Sequence, residues 1–280
     1  MKFAIYIPNF GEDMGIQDFV RLAQEAEAAG WDGFFIWDHI LADKRKKLRL
    51  VDPWITLAAI AAKTERIRIG TTITPIPRRR PWKLARETVS LDHLSNGRLI
   101  LGVGIGFPPD AEYTQFGEDG DERTRAAKLD EGLAILTGLW TGQPFRYDGA
   151  HYHLARTTFL PPALQSPRIP IWVGGMWPNK APFRRAAQWD GVIPLTTHGL
   201  VLPETLETIR AYIQQRRTTN QPYDVALIGH TPGDRPKKAA QHVAAYIEKG
   251  ATWWLESLYA GPRRLLAGRL KRIQQGPPPT

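Results

Sequence analysis

The chain has no cysteine and only three methionines. Disulfides, thiolate metal sites and cysteine nucleophiles are therefore excluded. No apolar run approaches the roughly 18 to 20 residues that a membrane-crossing helix needs. The opening "MKFAIYIPNFGED" has a short apolar stretch but soon meets Pro8 and an acidic turn. It lacks the hydrophobic region and small-residue cleavage site of a signal peptide. Together these absences lead us to expect a cytoplasmic protein. Acidic residues are the minority, 28 against 37 lysines and arginines, for a net charge of +9. Such a balance suits anionic partners: nucleic acid, an anionic membrane or a phosphorylated small molecule. It equally suits a solvated surface, so the charges must be placed. What remains is ordinary for a globular chain of 280 residues, with 42% hydrophobic and 23% charged content.

Strand-like and helix-like segments alternate. "KFAIYIP" (2–8) is rich in β-branched and aromatic residues. Residues 16–30 then space apolar residues as a helix does and stop on Gly30. The pattern repeats with strands over 32–38, 66–72 and 98–106 and helices over 53–64, 82–95 and 125–142. It breaks at 143–168, where Asp148 and Gly149 sit between alternating residues, a hairpin signal. It resumes with strands over 169–175, 189–195, 223–230 and 251–257, each with a helix behind it. Near-continuous apolar strands belong to a parallel sheet covered on both faces. Eight such units predict a TIM (β/α)8 barrel, with a hairpin-containing insertion between the fourth and fifth strands. A doubly wound open sheet would need a glycine fingerprint after the first strand. That turn reads Pro8-Asn9-Phe10-Gly11 instead. We expect one domain over 1–280, with the insertion at about 143–168, and a fraying "GPPPT" tail.

A TIM barrel works at the C-terminal ends of its strands. Those ends carry Asn9 and Phe10; Trp37, Asp38 and His39; Thr72, Ile73 and Thr74; Gly102, Gly104, Ile105, Gly106 and Phe107; Gly174, Gly175, Met176 and Trp177; Thr196, Thr197 and His198; His230; and Glu256. Paired carboxylates are missing, which argues against two-carboxylate glycoside hydrolysis. A ligand set for a dedicated metal is missing as well. His151 and His153 fall in the insertion, facing solvent or capping the barrel. Glycines, aromatics and hydroxyls suit a flat, largely apolar ring approached closely by backbone. The glycines before Asn179 admit two readings: phosphate binding at a helix start, or relief of crowding.

Three stretches carry a family likeness: "AEAAGWDGFFIWDH", "ERIRIGTTITPIPRRRPWKLARETVSLDHLSNGRLILGVGIG" and "PIWVGGMWPN". The chain resembles the bacterial luciferase-like superfamily of TIM-barrel oxidoreductases, which use FMN or the deazaflavin coenzyme F420. The resemblance implies catalytic roles for His39 and Asp38 beside the ring. It implies a non-prolyl cis peptide at Thr72–Ile73 behind the ring, with Thr74 at the ring edge. Gly104, Ile105 and Gly106 would touch the cofactor on one side. Gly174, Gly175, Trp177 and Pro178 would hold its ribityl and phosphate end. Phe10, Trp37, Phe107 and Glu256 would line the substrate pocket. In sugar-phosphate dehydrogenases of the deazaflavin branch a glutamate follows the fourth-strand glycine. Phe107 stands there instead, which argues for a more apolar substrate.

Bland readings stand beside these. His39 and Asp38 would serve as a structural pair and a loop cap, and Glu256 as the partner of an arginine. Two basic runs, Lys44–Arg49 and Arg78–Arg80, fall on the same rim, as a collar for an anionic cofactor. Family prevalence favours an FMN monooxygenase acting on a small organic substrate. The rim favours the alternative, a deazaflavin-dependent dehydrogenase or reductase. A non-catalytic binder of anions or nucleic acid is the reading from another class. It lacks a binding motif or a continuous basic stripe. We expect no metal, no nucleic acid and no membrane partner; the residues leave the oligomeric state open, with the homodimer common among the enzymes it resembles.

Overall fold

The computed structural model describes residues 1–11, 14–197 and 200–279. Its first strand, β1 (Lys2–Ile7), feeds helix α1 (Ile16–Ala28), and β2 (Gly33–Ile36) feeds α2 (Pro53–Ala61). β3 (Arg68–Pro75) leads to α3 (Pro81–Leu94). β4 (Leu99–Gly104) leads to a short α4 (Pro109–Glu112) and a long α5 (Glu122–Trp140). The insertion is a hairpin, β5 (Phe145–Asp148) with β6 (His153–Thr157). Then come β7 (Ile171–Trp177), α6 (Lys180–Ala186), β8 (Gly191–Thr196), α7 (Pro203–Gln214), β9 (Asp224–Gly229), α8 (Pro236–Glu248), β10 (Trp253–Ser257) and α9 (Leu266–Gln274).

Eight strands close into a parallel barrel in the order β1-β10-β9-β8-β7-β4-β3-β2. This is the TIM barrel that the alternation predicts. Local chemistry starts its helices. Proline occupies the first turn of α2, α3, α7 and α8, where its missing N–H costs nothing. Asp52 and Asp121 cap α2 and α5 by accepting from Ile55 and Thr124 N–H groups. Among the described residues no helix is long and apolar enough to cross a membrane.

Strand alternation divides the side chains. Ala4, Phe35, Ile100, Trp172, Ile193, Ala226, Trp253 and Leu255 fill the barrel interior. Phe35 and Trp172 lie 5.2 Å apart and Trp172 and Trp253 5.3 Å apart, so an aromatic plug floors the mouth. The larger core lies between barrel and helices. The hairpin belongs to the outer ring. Glu131 of α5 accepts from the backbone of Ala150, His151 and Tyr152, and buried Tyr152 meets Trp82 of α3 edge-on. His153 is exposed beside Asp148. Of the two sites weighed for the hairpin histidines, His153 takes the outer surface, and His151 is half-buried.

Candidate active site

A cavity of about 1530 Å³ opens at the C-terminal ends of the strands. Single-ligand pockets run to roughly 300–1,000 Å³, so this one has room for a cofactor and a substrate. Phe10, Trp37, His39, Thr72, Ile73, Ile105, Gly106, Phe107, Gly174, Gly175, Met176 and Thr197 line it, with Tyr6, Glu112, Arg125, Asn179 and Tyr259. His198 lies outside the described residues. His230 is turned aside, its Nδ1 3.1 Å from the Ser257 carbonyl.

Loop ends are tied together first. Buried Asn9 donates from Nδ2 to the carbonyls of His39 and Val51 at 2.8 and 2.9 Å, and its Oδ1 accepts from the His39 N–H at 3.2 Å. His39 Nδ1 lies 3.0 Å from Glu112 Oε1, a side chain from α4 that is 1% exposed. Glu112 also accepts from Ile40 and Ala42 N–H groups at 3.2 and 2.9 Å, and from Arg78. Burial pushes the Glu112 carboxyl up, but His39 and Arg78 outweigh it and hold the pKa at about 2. An ionised carboxylate only accepts, so it assigns the proton to His39 Nδ1. Nε2 is then the nitrogen left for a ligand.

Asp38 also borders the cavity, but its carboxylate is bound within the wall. Its carboxylate accepts from Arg78 at 2.8 Å, from Arg79 at 2.8 and 2.7 Å, from Thr74 at 3.0 Å and from the Trp54 indole at 3.3 Å. Arg78 therefore bridges Asp38 and Glu112, and the network clamps the loops after β2, β3 and β4 to one another.

Between Thr71 and Thr74 the β3 ladder slips by one residue. The Thr72–Ile73 peptide inside this bulge is cis. Ile73 points into the mouth, and two glycines clear its path. A Cβ on Gly104 would stand 2.2 Å from Ile73 Cδ1, and one on Gly174 3.0 Å from it. After β4 the chain turns through Gly106 at φ 78°, the left-handed region. Buried Arg125 holds that turn by donating to the Ile105 and Gly106 carbonyls at 2.9 and 2.7 Å.

The cavity also keeps two polar atoms in waiting. Trp37 Nε1 and Thr72 Oγ1 are buried without a hydrogen-bond partner among the described residues. Buried donors are rarely left so, and these two fit a ligand with acceptors on its edge. The luciferase-like monooxygenase family model matches residues 1–276. The chain belongs to this family. It is 30% identical to an F420-dependent glucose-6-phosphate dehydrogenase of Amycolatopsis mediterranei, over 68% of this chain and 57% of that one. It is 30% identical to the oxygenase component of a flavin-dependent trigonelline monooxygenase of Acinetobacter baylyi, over 59% and 45%. A coenzyme F420-dependent tetrahydromethanopterin reductase from Methanopyrus kandleri shares the fold, with a TM-score of 0.77, 18% identity, and coverage of 98% and 96%.

Within this luciferase-like barrel several expected positions need correction. Glu256 is not in the substrate pocket. On β10, Trp253 and Leu255 take the interior, so Trp254 and Glu256 face the helices. There Glu256, fully buried, accepts from Arg263, Arg272, Thr231 and Trp254. The same alternation turns Trp177 outward, 5.2 Å from Phe183, so neither Trp177 nor Pro178 lines the cavity. Gly175 borders the cavity, but its missing side chain makes room for Pro182 of α6. Thr74 is buried on Asp38 and Thr71 and does not line the mouth. Gly104 makes room for Ile73 and is likewise absent from the lining. The basic collar also shrinks. Arg78 and Arg79 are internal partners of Asp38, and Lys44 pairs with Asp110 at 2.9 Å. Lys46, paired with Asp43 at 3.4 Å, Lys47 and Arg49 do reach the cavity.

Sequence reasoning missed Glu112, Arg125, Tyr259 and Tyr6. Glu112 left a faint signal, a carboxylate in the turn after the fourth strand, six residues beyond Gly106. Burial pushes the Tyr6 phenol up, so it faces the cavity as a neutral hydroxyl.

Proposed function

We propose that this chain is an oxidoreductase that binds a flavin-type ring across the barrel mouth and works as a monooxygenase with reduced FMN on a small organic substrate. The observation that carries the reading is the β3 bulge. It brings Ile73 and the Thr72 hydroxyl, unpartnered among the described residues, to the wall of one large cavity, whose lining also holds His39 in contact with the rings of Phe10 and Trp37. Ile73 backs the ring, while Ile105, Gly106 and Gly174 let it approach backbone. His39 is the catalytic residue in this reading, holding or passing a proton at Nε2. Asp38 positions it through Arg78 and Glu112. Trp37 and Phe10 keep the reacting centre dry, while Phe107 stands largely exposed at the rim. When bound, reduced FMN supplies oxygen activation, and the deazaflavin would supply two-electron hydride transfer.

The internal use of Arg78 and Arg79 weakens the argument for the deazaflavin, whose anionic tail needs more cations than the FMN phosphate. Lys46 and Lys47 at the mouth keep it as the second reading. In either case the partner is a small molecule rather than nucleic acid, since the basic residues sit in short loops. A cytoplasmic homodimer belongs to the same proposal, and the absence of cysteine is consistent with that compartment. The test is an absorption titration of purified protein with FMN and with the deazaflavin. Saturable binding of FMN supports the reading, preference for the deazaflavin exchanges it for the second, and binding of neither overturns both.

A further inference from the structure

One charged group at the mouth has no place in the network above. Arg269, on α9, is 1% exposed and lines the cavity. Its Nε donates to the Arg263 carbonyl at 3.1 Å, and Nη1 rests against the Met14 sulfur. Nη2 has no partner among the described residues, and none of their carboxylates lies within 4.0 Å of the guanidinium. Glu256 is taken by Arg263 and Arg272. Burial pushes Arg269 down only to about 10, so it is charged at neutral pH. A buried cation with no counter-charge among the described residues is costly to the fold, and an anion entering from the cavity would offset that cost. The planar fork of arginine suits a carboxylate.

Its surroundings name the rest of the ligand. The backbone after β1 passes close by: a Cβ on Gly11 would stand 3.0 Å from Arg269 Nη1. The next residue back, Phe10, lies 5.9 Å from Trp37 and 6.2 Å from Tyr259, and Trp37 lies 5.1 Å from Tyr259 and 5.3 Å from Tyr6. All four rings line the cavity. In the closed barrel the β1–β10 seam lies opposite the β7–β4 seam, beside which the β3 bulge and the strand-end glycines sit. The aromatic wall and the arginine thus face the cofactor side across the mouth.

We propose that the β1–β10 side is a substrate subsite for a small aromatic carboxylate, with Arg269 taking the carboxylate and Tyr6, Phe10, Trp37 and Tyr259 taking the ring. One guanidinium balances one negative charge, which suits a carboxylate better than a doubly charged phosphate. The inference rests on the redox reading for the role of the bound acid as substrate. It is tested by calorimetric titration of the full chain with benzoate and with benzamide, its neutral counterpart. The wild-type chain is expected to prefer benzoate on the order of tenfold. Arg269→Met is expected to lose that preference while keeping its affinity for benzamide, FMN and the deazaflavin. If Arg269→Met does not fold, Arg269→Lys decides, with an expected loss of most of the preference because the fork is gone. Equal affinity of the wild type for benzoate and benzamide overturns the subsite, as does an unchanged preference in the folded variant. Loss of cofactor affinity in the variant assigns the arginine to the cofactor's anionic chain and overturns it too. Benzoate binding is read without cofactor or turnover. A chain that takes benzoate but neither cofactor therefore overturns the redox reading alone.

Discussion

Glu112 and Asp38 are both acids near His39, and they do different work. Glu112 touches the imidazole and holds it in one tautomer, whereas Asp38 holds the arginine that holds Glu112. Glu112→Gln keeps the shape but leaves Arg78 partly uncompensated. Breaking such a buried pair costs about 3–5 kcal/mol, and a urea midpoint should fall accordingly. The folded pKa of Glu112 lies below its ordinary 4.5. Its contribution to stability is therefore complete above about 4.5 and fades as pH falls toward 2. Unfolding midpoints measured from pH 6 to pH 2 should drop more steeply for wild type than for Glu112→Gln across that window. His39→Ala should lower turnover by about 10²-fold or more while cofactor affinity changes little. Full turnover in that variant would remove His39 from the chemistry. The abrupt end of an apolar run in Trp37, Asp38 and His39 was legible in the sequence. Which acid the histidine would meet was not, because Glu112 is 73 residues away in the chain.

Strands impose their alternation on every residue at the mouth, and parity explains most of the corrected positions. Glu256 and Trp177 end the strands that the pattern marks, yet each falls on the outward register. Glu256→Gln should therefore cost about 3–5 kcal/mol by leaving Arg272 short of its partner, and titration should show unchanged cofactor affinity. At the β3 bulge the expected behaviour is different. Gly104→Ala places a methyl against Ile73 Cδ1, an overpacking worth about 1–3 kcal/mol. Combining it with Ile73→Val removes the clashing carbon and should recover most of that loss in thermal unfolding. A double variant no more stable than Gly104→Ala would show that the glycine serves something other than Ile73. The bulge position was legible only through the family likeness. Spacing alone cannot say which face of a one-residue slip points inward.

Across the whole molecule, the net charge of +9 says less about the mouth than it first suggests. Part of the surplus is spent inside the wall, where four arginines, Arg78, Arg79, Arg263 and Arg272, answer three buried carboxylates, Asp38, Glu112 and Glu256. Screening acts on exposed charges and hardly on such pairs. Raising salt from about 0.05 to 0.5 M should therefore weaken cofactor binding only by roughly tenfold or less. A loss much beyond that would restore the full basic collar.

By itself the sequence determined the count and order of β/α units, the hairpin insertion and the residue types gathered at the strand ends. Periodicity, proline placement and turn chemistry are local, so they can be read along the chain. The tertiary structure alone decided which side of each strand faces the mouth, which arginines stay in the wall, and that Glu112 rather than Asp38 touches His39. Closing the barrel brings the ends of β2, β3 and β4 together, and only then do charges 34 to 73 residues apart become neighbours whose burial forces them to pair.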